Sequence, residues 1–255
     1  MKEPLRYRNG IPFFFDKSEQ DFKKDIYERY DEMVVRQTAL HLADEIWGNY
    51  PMQHVLDFGE EHCQNYRDGS ILEVGSGVGR WIGSLAKRFP GAKCWGIDYS
   101  YQMLKRANEF WVEGKSIEVD LRSKGFPGPI KINGYQLRNL QFGLSKATDL
   151  PFENETQDLV LNSFLLDRLE NPLEGLKEMF RILKPKGKLM LITPLNFNKY
   201  EHWLDFYPPG KLYEKLNEIG FEILDSREDM VIREPLDGRG NAVAWKCLGV
   251  LGSKN

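Results

Sequence analysis

Leu72-Glu73-Val74-Gly75-Ser76-Gly77-Val78-Gly79-Arg80 is the stretch from which the rest of the chain is best read. Ser70 to Val74 is a short apolar run with the look of a strand, and a helical pattern begins at Arg80. The glycines between them let the backbone turn sharply and approach a ligand with no Cβ in the way. The helix start behind them aims free N–H groups at whatever binds there. A dinucleotide fingerprint needs its third glycine one place later, where Arg80 stands. The G-x-G-x-G turn instead suits a ligand made of an amino acid carboxylate and a nucleoside. Asp98 ends the next strand roughly twenty residues on, where a carboxylate can accept both hydrogen bonds of a ribose diol.

Around this turn the chain alternates strands and helices. Arg80 to Phe89 reads as a helix stopped by Pro90-Gly91, Lys93 to Ile97 as a strand, and Ser100 to Phe110 as a helix with Ser100 at its N-cap. Asp158 to Asn162, Pro172 to Leu183 and Lys188 to Thr193 continue as strand, helix and strand. Such alternation implies right-handed crossovers and a mostly parallel α/β sheet with helices on both faces. Near the end, a helix at Lys211 to Ile219 precedes strands at Phe221 to Leu224 and Ala242 to Val250, an antiparallel pair. Upstream, Ser18 to Trp47 carries apolar residues at helical spacing, so residues 1–68 form a helical extension or lid and 69–255 the core. Gly114 to Leu140, rich in Gly and Pro, reads as an insertion.

Composition narrows the class. The 255 residues are 41% hydrophobic and 29% charged, enough for one large core, and the formal charge of −3 offers no basic surface for nucleic acid. There is no apolar run of membrane-spanning length and no secretory leader pattern, so a cytoplasmic protein without membrane partners is expected. Cys63, Cys94 and Cys247 are scattered and odd in number, which argues against a disulfide framework. Glu61-His62-Cys63 has no companion at ligand spacing, so no metal site is expected.

LEVGSGVGR, GIDYSYQMLKRA, ATDLPFENETQDLVLNSFLLDRLENP and EMFRILKPKGKLMLITP, in that order, resemble the class I S-adenosylmethionine-dependent methyltransferases. The resemblance implies a Rossmann-like, seven-stranded sheet and S-adenosyl-L-methionine as cofactor, with S-adenosyl-L-homocysteine as product. It implies cofactor contacts at Glu73, Gly75, Ser76, Gly77, Gly79, Arg80, Asp98, Tyr99, Met103, Lys146, Ala147, Asn162 and Ser163, with Asp98 on the ribose and Tyr99 against the adenine. One position departs. Where relatives carry an acid that contacts the adenine amino group, this chain has Lys146, which donates and cannot accept.

Methyl transfer from a sulfonium needs position and dryness more than a fixed triad, so the cofactor motifs do not name the acceptor. Candidates lie at the strand ends: Asp167 and Arg168, which would clamp an ammonium and a carboxylate or simply brace the loop, then Asn196 and Arg233. Tyr27 and Tyr30 would project from the N-terminal helices into the pocket or pack as core, and Asp167 and Tyr30 are the catalytic candidates. None of the four histidines shows a partner. NSFLLDRLENP, KGKLMLITPLNF and DMVIREPLDGRGNAVAWK further resemble the methyltransferase domain of ovothiol biosynthesis. That likeness implies N-methylation of the imidazole of a thio- or selenohistidine derivative, a zwitterionic small-molecule substrate, and a monomer or homodimer. The alternatives are a C- or O-methyltransferase of a quinone, lipid or natural product, and a non-catalytic protein that binds the cofactor. A greasy cavity without a paired Asp and Arg would favour the quinone type.

Overall fold

The apolar runs on either side of the glycine turn become adjacent parallel strands, and everything else is arranged about them. The computed structural model describes residues 1–46, 48–64 and 66–255. The chain opens with strands β1 (Arg6–Arg8) and β2 (Ile11–Phe13), then helices α1 (Glu19–Lys24), α2 (Ile26–Arg29), α3 (Asp31–Leu42) and α4 (Gln53–His62). Next come β3 (Asp68–Val74), α5 (Arg80–Arg88), β4 (Gly91–Asp98) and α6 (Tyr101–Trp111). A small ribbon of β5 (Ile117–Val119) and β6 (Ile130–Ile132) leads to β7 (Leu140–Leu144). The remainder is β8 (Gln157–Ser163), α7 (Pro172–Ile182), β9 (Leu183–Thr193), α8 (Tyr200–Phe206), α9 (Pro209–Ile219), β10 (Phe221–Pro235) and β11 (Ala242–Lys254).

The main sheet is ordered β1-β2-β7-β4-β3-β8-β9-β11-β10. Pairing is parallel from β2 to β9 and antiparallel where β1, β11 and β10 join. It is the expected α/β sheet with an antiparallel C-terminal pair, but it has nine strands rather than seven. The two extra strands are β1 and β2: Phe13 pairs with Leu144, so the N-terminal segment extends the sheet before its four helices begin. The stretch expected as an insertion holds the small ribbon and runs straight into β7. The last two strands are far longer than their apolar cores, because exposed charged positions alternate along β10 and register shifts at Ile223/Asp225 and Arg227/Met230 carry it on.

Side-chain alternation divides the core into two layers. Ile71 of β3 packs with Phe58, Ile82 and Trp111 on one face. Leu72 and Val74 pack with Leu176, Met179 and Leu212 on the other. From β3 the chain moves one way to β4 and β7 and the other way to β8 and β9. Strand order therefore reverses at β3, and the crevice beyond its carboxyl end is where ligands bind in open α/β sheets. The helical run expected from Ser18 to Trp47 is broken by Asp25 and Tyr30 and ends at Leu42; Trp47 lies outside the described residues.

Candidate functional site

The crevice opens into a cavity of about 560 Å³ lined by the glycine turn, the ends of β4, β7 and β8, and the N-terminal helices. Gly75, Gly77 and Gly79 take φ of 78°, 53° and 78°, backbone that L side chains avoid. A Cβ on Gly75 would sit 2.7 Å from Leu165, and one on Gly79 2.7 Å from the Phe142 ring. At Gly77 it would meet only Met103 Cε at 3.4 Å, so this residue presents bare backbone to the cavity. The turn is pinned from behind: Gly75 and Ser76 donate their N–H groups to Ile97 O, and the buried Trp111 indole donates to Val78 O.

Two carboxylates sit at this turn. Glu73 is 2% exposed and accepts the Ile82 N–H, one of the free donors at the start of α5, at 3.0 Å. Burial pushes its carboxyl up to about 8, against that hydrogen bond. Asp98 accepts Gly77 N–H at 2.8 Å and Ser100 N–H at 2.7 Å. Burial raises its pKa too, and the two backbone donors pull it back. Ser100 is the N-cap of α6 as expected, although Asp98, not the serine hydroxyl, takes the nearby N–H.

Beyond Asp98 the cavity runs under Tyr99, Met103 and the loop Ser145 to Thr148, and the N-terminal segment roofs it. Phe15 stacks on Tyr99, with centroids 5.6 Å apart. Asp21 of α1 accepts the Tyr99 hydroxyl at 2.6 Å and lies 3.7 Å from Lys146 Nζ. Beneath them the Lys17 ammonium, 4% exposed, bridges Asp25 at 2.6 Å and Glu28 at 3.2 Å. Glu28 in turn accepts Tyr101 N–H at 3.2 Å, tying α2 to the start of α6.

The cavity is also lined by Ile26, Tyr27, Tyr50, Met52, Val55 and Leu56, with Lys24, Asp25, Gln37, His41, Arg80, Arg168 and Glu170 among its polar groups. His41 Nε2 lies 3.1 Å from Gln37 Oε1, one helical turn earlier, and burial pulls its pKa down to about 4. Burial likewise pushes Tyr27 up to about 12. The Arg80 guanidinium packs 4.5 Å over the Tyr50 ring and bonds Asp44 at 3.1 Å.

The expected residues are gathered unequally. Glu73, Gly75, Ser76, Gly77, Arg80, Asp98, Tyr99, Met103, Lys146, Ala147, Ser163, Tyr27 and Arg168 all line the cavity. Gly79 and Asn162 stand just behind it, and Asn162 donates to Val74 O at 3.1 Å. Asp167 is also outside the lining: it is 1% exposed and lies 3.5 Å from both Arg168 Nε and Thr193 Oγ1. Those contacts, away from the lining, fit the loop brace better than the clamp. Asn196 gives its backbone N–H to Asp167, and Arg233 is exposed on β10, paired with Ala244; neither lines the cavity. Tyr30 is 49% exposed with Arg29 over its ring, away from the lining.

Sequence reasoning does not single out Asp21, Asp25, Gln37, Tyr50, Met52 and Val55, which also line the cavity, and it weighs His41 only as a histidine without a partner. A signal existed for the pair Gln37 and His41, which are four apart on a helical pattern. Elsewhere, Glu61 and His62 are joined by Asp225. Arg227 bonds Glu61 at 2.5 Å and approaches Asp225 at 3.8 Å, so a guanidinium already balances that cluster.

A glycine turn opening onto a cavity, a strand-end carboxylate beside it and a mostly parallel nine-stranded sheet make a Rossmann-like α/β fold. Residues 72–191 match the family described as methyltransferase domain. The chain is 28% identical over 216 residues to a demethylmenaquinone methyltransferase of Geobacillus sp. (strain WCH70), covering 77% of this chain and 83% of that one. It is 27% identical over 191 residues to a ubiquinone/menaquinone biosynthesis C-methyltransferase of Geotalea daltonii, covering 71% and 69%. Three further demethylmenaquinone methyltransferases are matched over only 48%, 61% and 61% of their own length. A crystal structure of a methyltransferase dependent on S-adenosylmethionine from Aquifex aeolicus superposes with a TM-score of 0.53 at 20% identity, covering 89% of this chain and all of that one. The sheet shares the Rossmann-like α/β fold of that structure, and the matches support an S-adenosylmethionine-dependent methyltransferase with that compound as its cofactor.

Proposed function

We propose that this enzyme methylates a ring-bearing, largely apolar small molecule of the quinol or phenol type, at carbon or oxygen. The apolar part of the lining carries the reading: Ile26, Tyr27, Tyr50, Met52, Val55 and Leu56 face the cavity, while Asp167 and Arg233 lie outside it. Both quinone-ring relatives, at 28% and 27% identity, point the same way. Gly77 backbone and Asp98 hold the amino acid–nucleoside, and residues 1–68 act as the roof that keeps water from the transfer. The bound cofactor supplies an electrophilic methyl whose bond to sulfur breaks as the acceptor attacks.

His41 is the group we assign to the acceptor's proton. In the tautomer that donates Nε2–H to Gln37 Oε1, Nδ1 keeps a lone pair for an acceptor hydroxyl. Because burial holds the imidazole near 4, it stays neutral across the physiological range. Protonation removes the lone pair only as pH falls through about 4, so kcat/KM is expected to stay flat from pH 6 to 8 and to fall on the acid side. An inflection near the ordinary histidine value would remove His41 from the role.

Imidazole N-methylation of a thio- or selenohistidine is the second reading, and it rests on Arg168, the one member of the expected clamp that lines the cavity. The deciding experiment incubates the enzyme with methyl-labelled cofactor and either reduced demethylated quinones and simple phenols or thiohistidine. Mass spectrometry then reads which product gains one label. Transfer to the quinols or phenols supports the leading reading, and transfer to thiohistidine alone replaces it with the second.

A further inference from the structure

The cavity spans β3, β4 and β7, and this order fixes which end takes which part of the cofactor. With the ribose diol at Asp98, on β4, and the amino acid part at the glycine turn after β3, the base must lie beyond, at the loop after β7. There the chain has Lys146 where an acceptor is wanted, yet Asp21 of α1 comes to 3.7 Å from the Lys146 ammonium and lines the same space. A carboxylate has about four lone-pair sites. Three on Asp21 are taken: Ser18 N–H at 2.9 Å and Ser18 hydroxyl at 2.8 Å on Oδ2, and the Tyr99 hydroxyl at 2.6 Å on Oδ1. The fourth, on Oδ1, is on the side of Lys146. These same donors, the Tyr99 hydroxyl first, hold the Asp21 carboxyl well below the usual range, so it is a permanent acceptor.

We propose that Asp21 and Lys146 together read the hydrogen-bonding edge of the adenine, Asp21 accepting from the exocyclic amino group and Lys146 donating to the neighbouring ring nitrogen. Adenine shows a donor and an acceptor side by side on that edge. Hypoxanthine shows the same two positions with their polarities exchanged, a carbonyl facing Asp21 and a ring N–H facing Lys146. A site whose polar groups are matched to one pattern rejects the other, because the mismatched groups are left unpaired or opposed. The acid therefore reaches the base from the N-terminal roof and not from the strand-end loop, and the site that selects adenine is complete only when α1 is docked. This inference concerns the cofactor and does not depend on the acceptor.

Calorimetry with S-adenosylhomocysteine and its inosine counterpart tests it by binding alone. The unaltered enzyme is expected to prefer the adenine form by about tenfold or more. Lys146→Gln, a change at a half-exposed side chain, and Asp21→Asn should each bring that ratio toward one, and Tyr99→Phe, which frees a lone pair on Asp21 without removing it, should preserve it. Thermal melting of each variant shows that the roof is still folded, and Lys146→Gln keeps the test alive if Asp21→Asn proves unstable. A ratio near one in the unaltered enzyme, or an unchanged ratio in a folded Lys146→Gln, overturns the proposal.

Discussion

Asp98 holds two backbone N–H groups and still offers its remaining lone pairs to the cavity, so one side chain both preorganises the turn and presents acceptors to a ligand. Asp98→Ala is therefore expected to weaken S-adenosylhomocysteine binding more than about 100-fold by calorimetry, since it removes the sugar contact and loosens Gly77. Arg168→Ala, elsewhere in the lining, should leave that affinity unchanged and raise the KM of the acceptor. Glu73 gives a pH signature in the ligand-free enzyme. Its carboxyl sits near 8 when folded against 4.5 when free, so folding takes up a proton between those values and stability falls as pH rises through that window. The full shift corresponds to roughly 5 kcal/mol, and Glu73→Gln should flatten the decline in urea unfolding measured at pH 5 and pH 8.5. At this scale the glycines are legible because the turn's local backbone geometry demands them, and Asp98 because it ends the strand that follows. Asp21 is not, because its meaning depends on Lys146 and Tyr99, which only the folded chain brings near it.

Among elements, the N-terminal roof is the least like its sequence. The apolar spacing from Ser18 onward was read as helices, and they are there, but Asp25 interrupts them as the N-cap of α2, accepting Tyr27 N–H at 2.9 Å, while pairing with buried Lys17. A pattern of burial cannot distinguish such a cap from a polar helix face. Strand β7 escaped notice for a related reason: five residues containing Gly143 follow a Gly- and Pro-rich stretch, too short to show alternation. The strands and helices from β3 to α6 and from β8 to β9 were readable because their fully buried runs are bounded by Pro, Gly or acidic ends. The roof yields its own prediction. Lys17→Met leaves Asp25 and Glu28 buried without their cation, which costs on the order of 3–5 kcal/mol. Hydrogen exchange should then show α1 and α2 opening, with β3 and β4 still protected.

For the molecule as a whole, binding and stability are linked through the crevice. S-adenosylhomocysteine at 100 times its dissociation constant adds about 2.7 kcal/mol to the folded state. In a chain of this size that should raise the melting temperature by roughly 5–10 °C, an effect Asp98→Ala should abolish. The outermost strands have a separate consequence. At one border of the sheet stand Arg6, Tyr7 and Arg8, all solvent-facing, on a strand of three residues. At the other stands β10, studded with Glu222, Asp225, Arg227, Glu228 and Asp229. A bare border invites a neighbouring polypeptide to add its own strand, and short length or charge discourages it. Both rims of this sheet are guarded in that way, so neither hands a crowded neighbour a ready template for fibril growth.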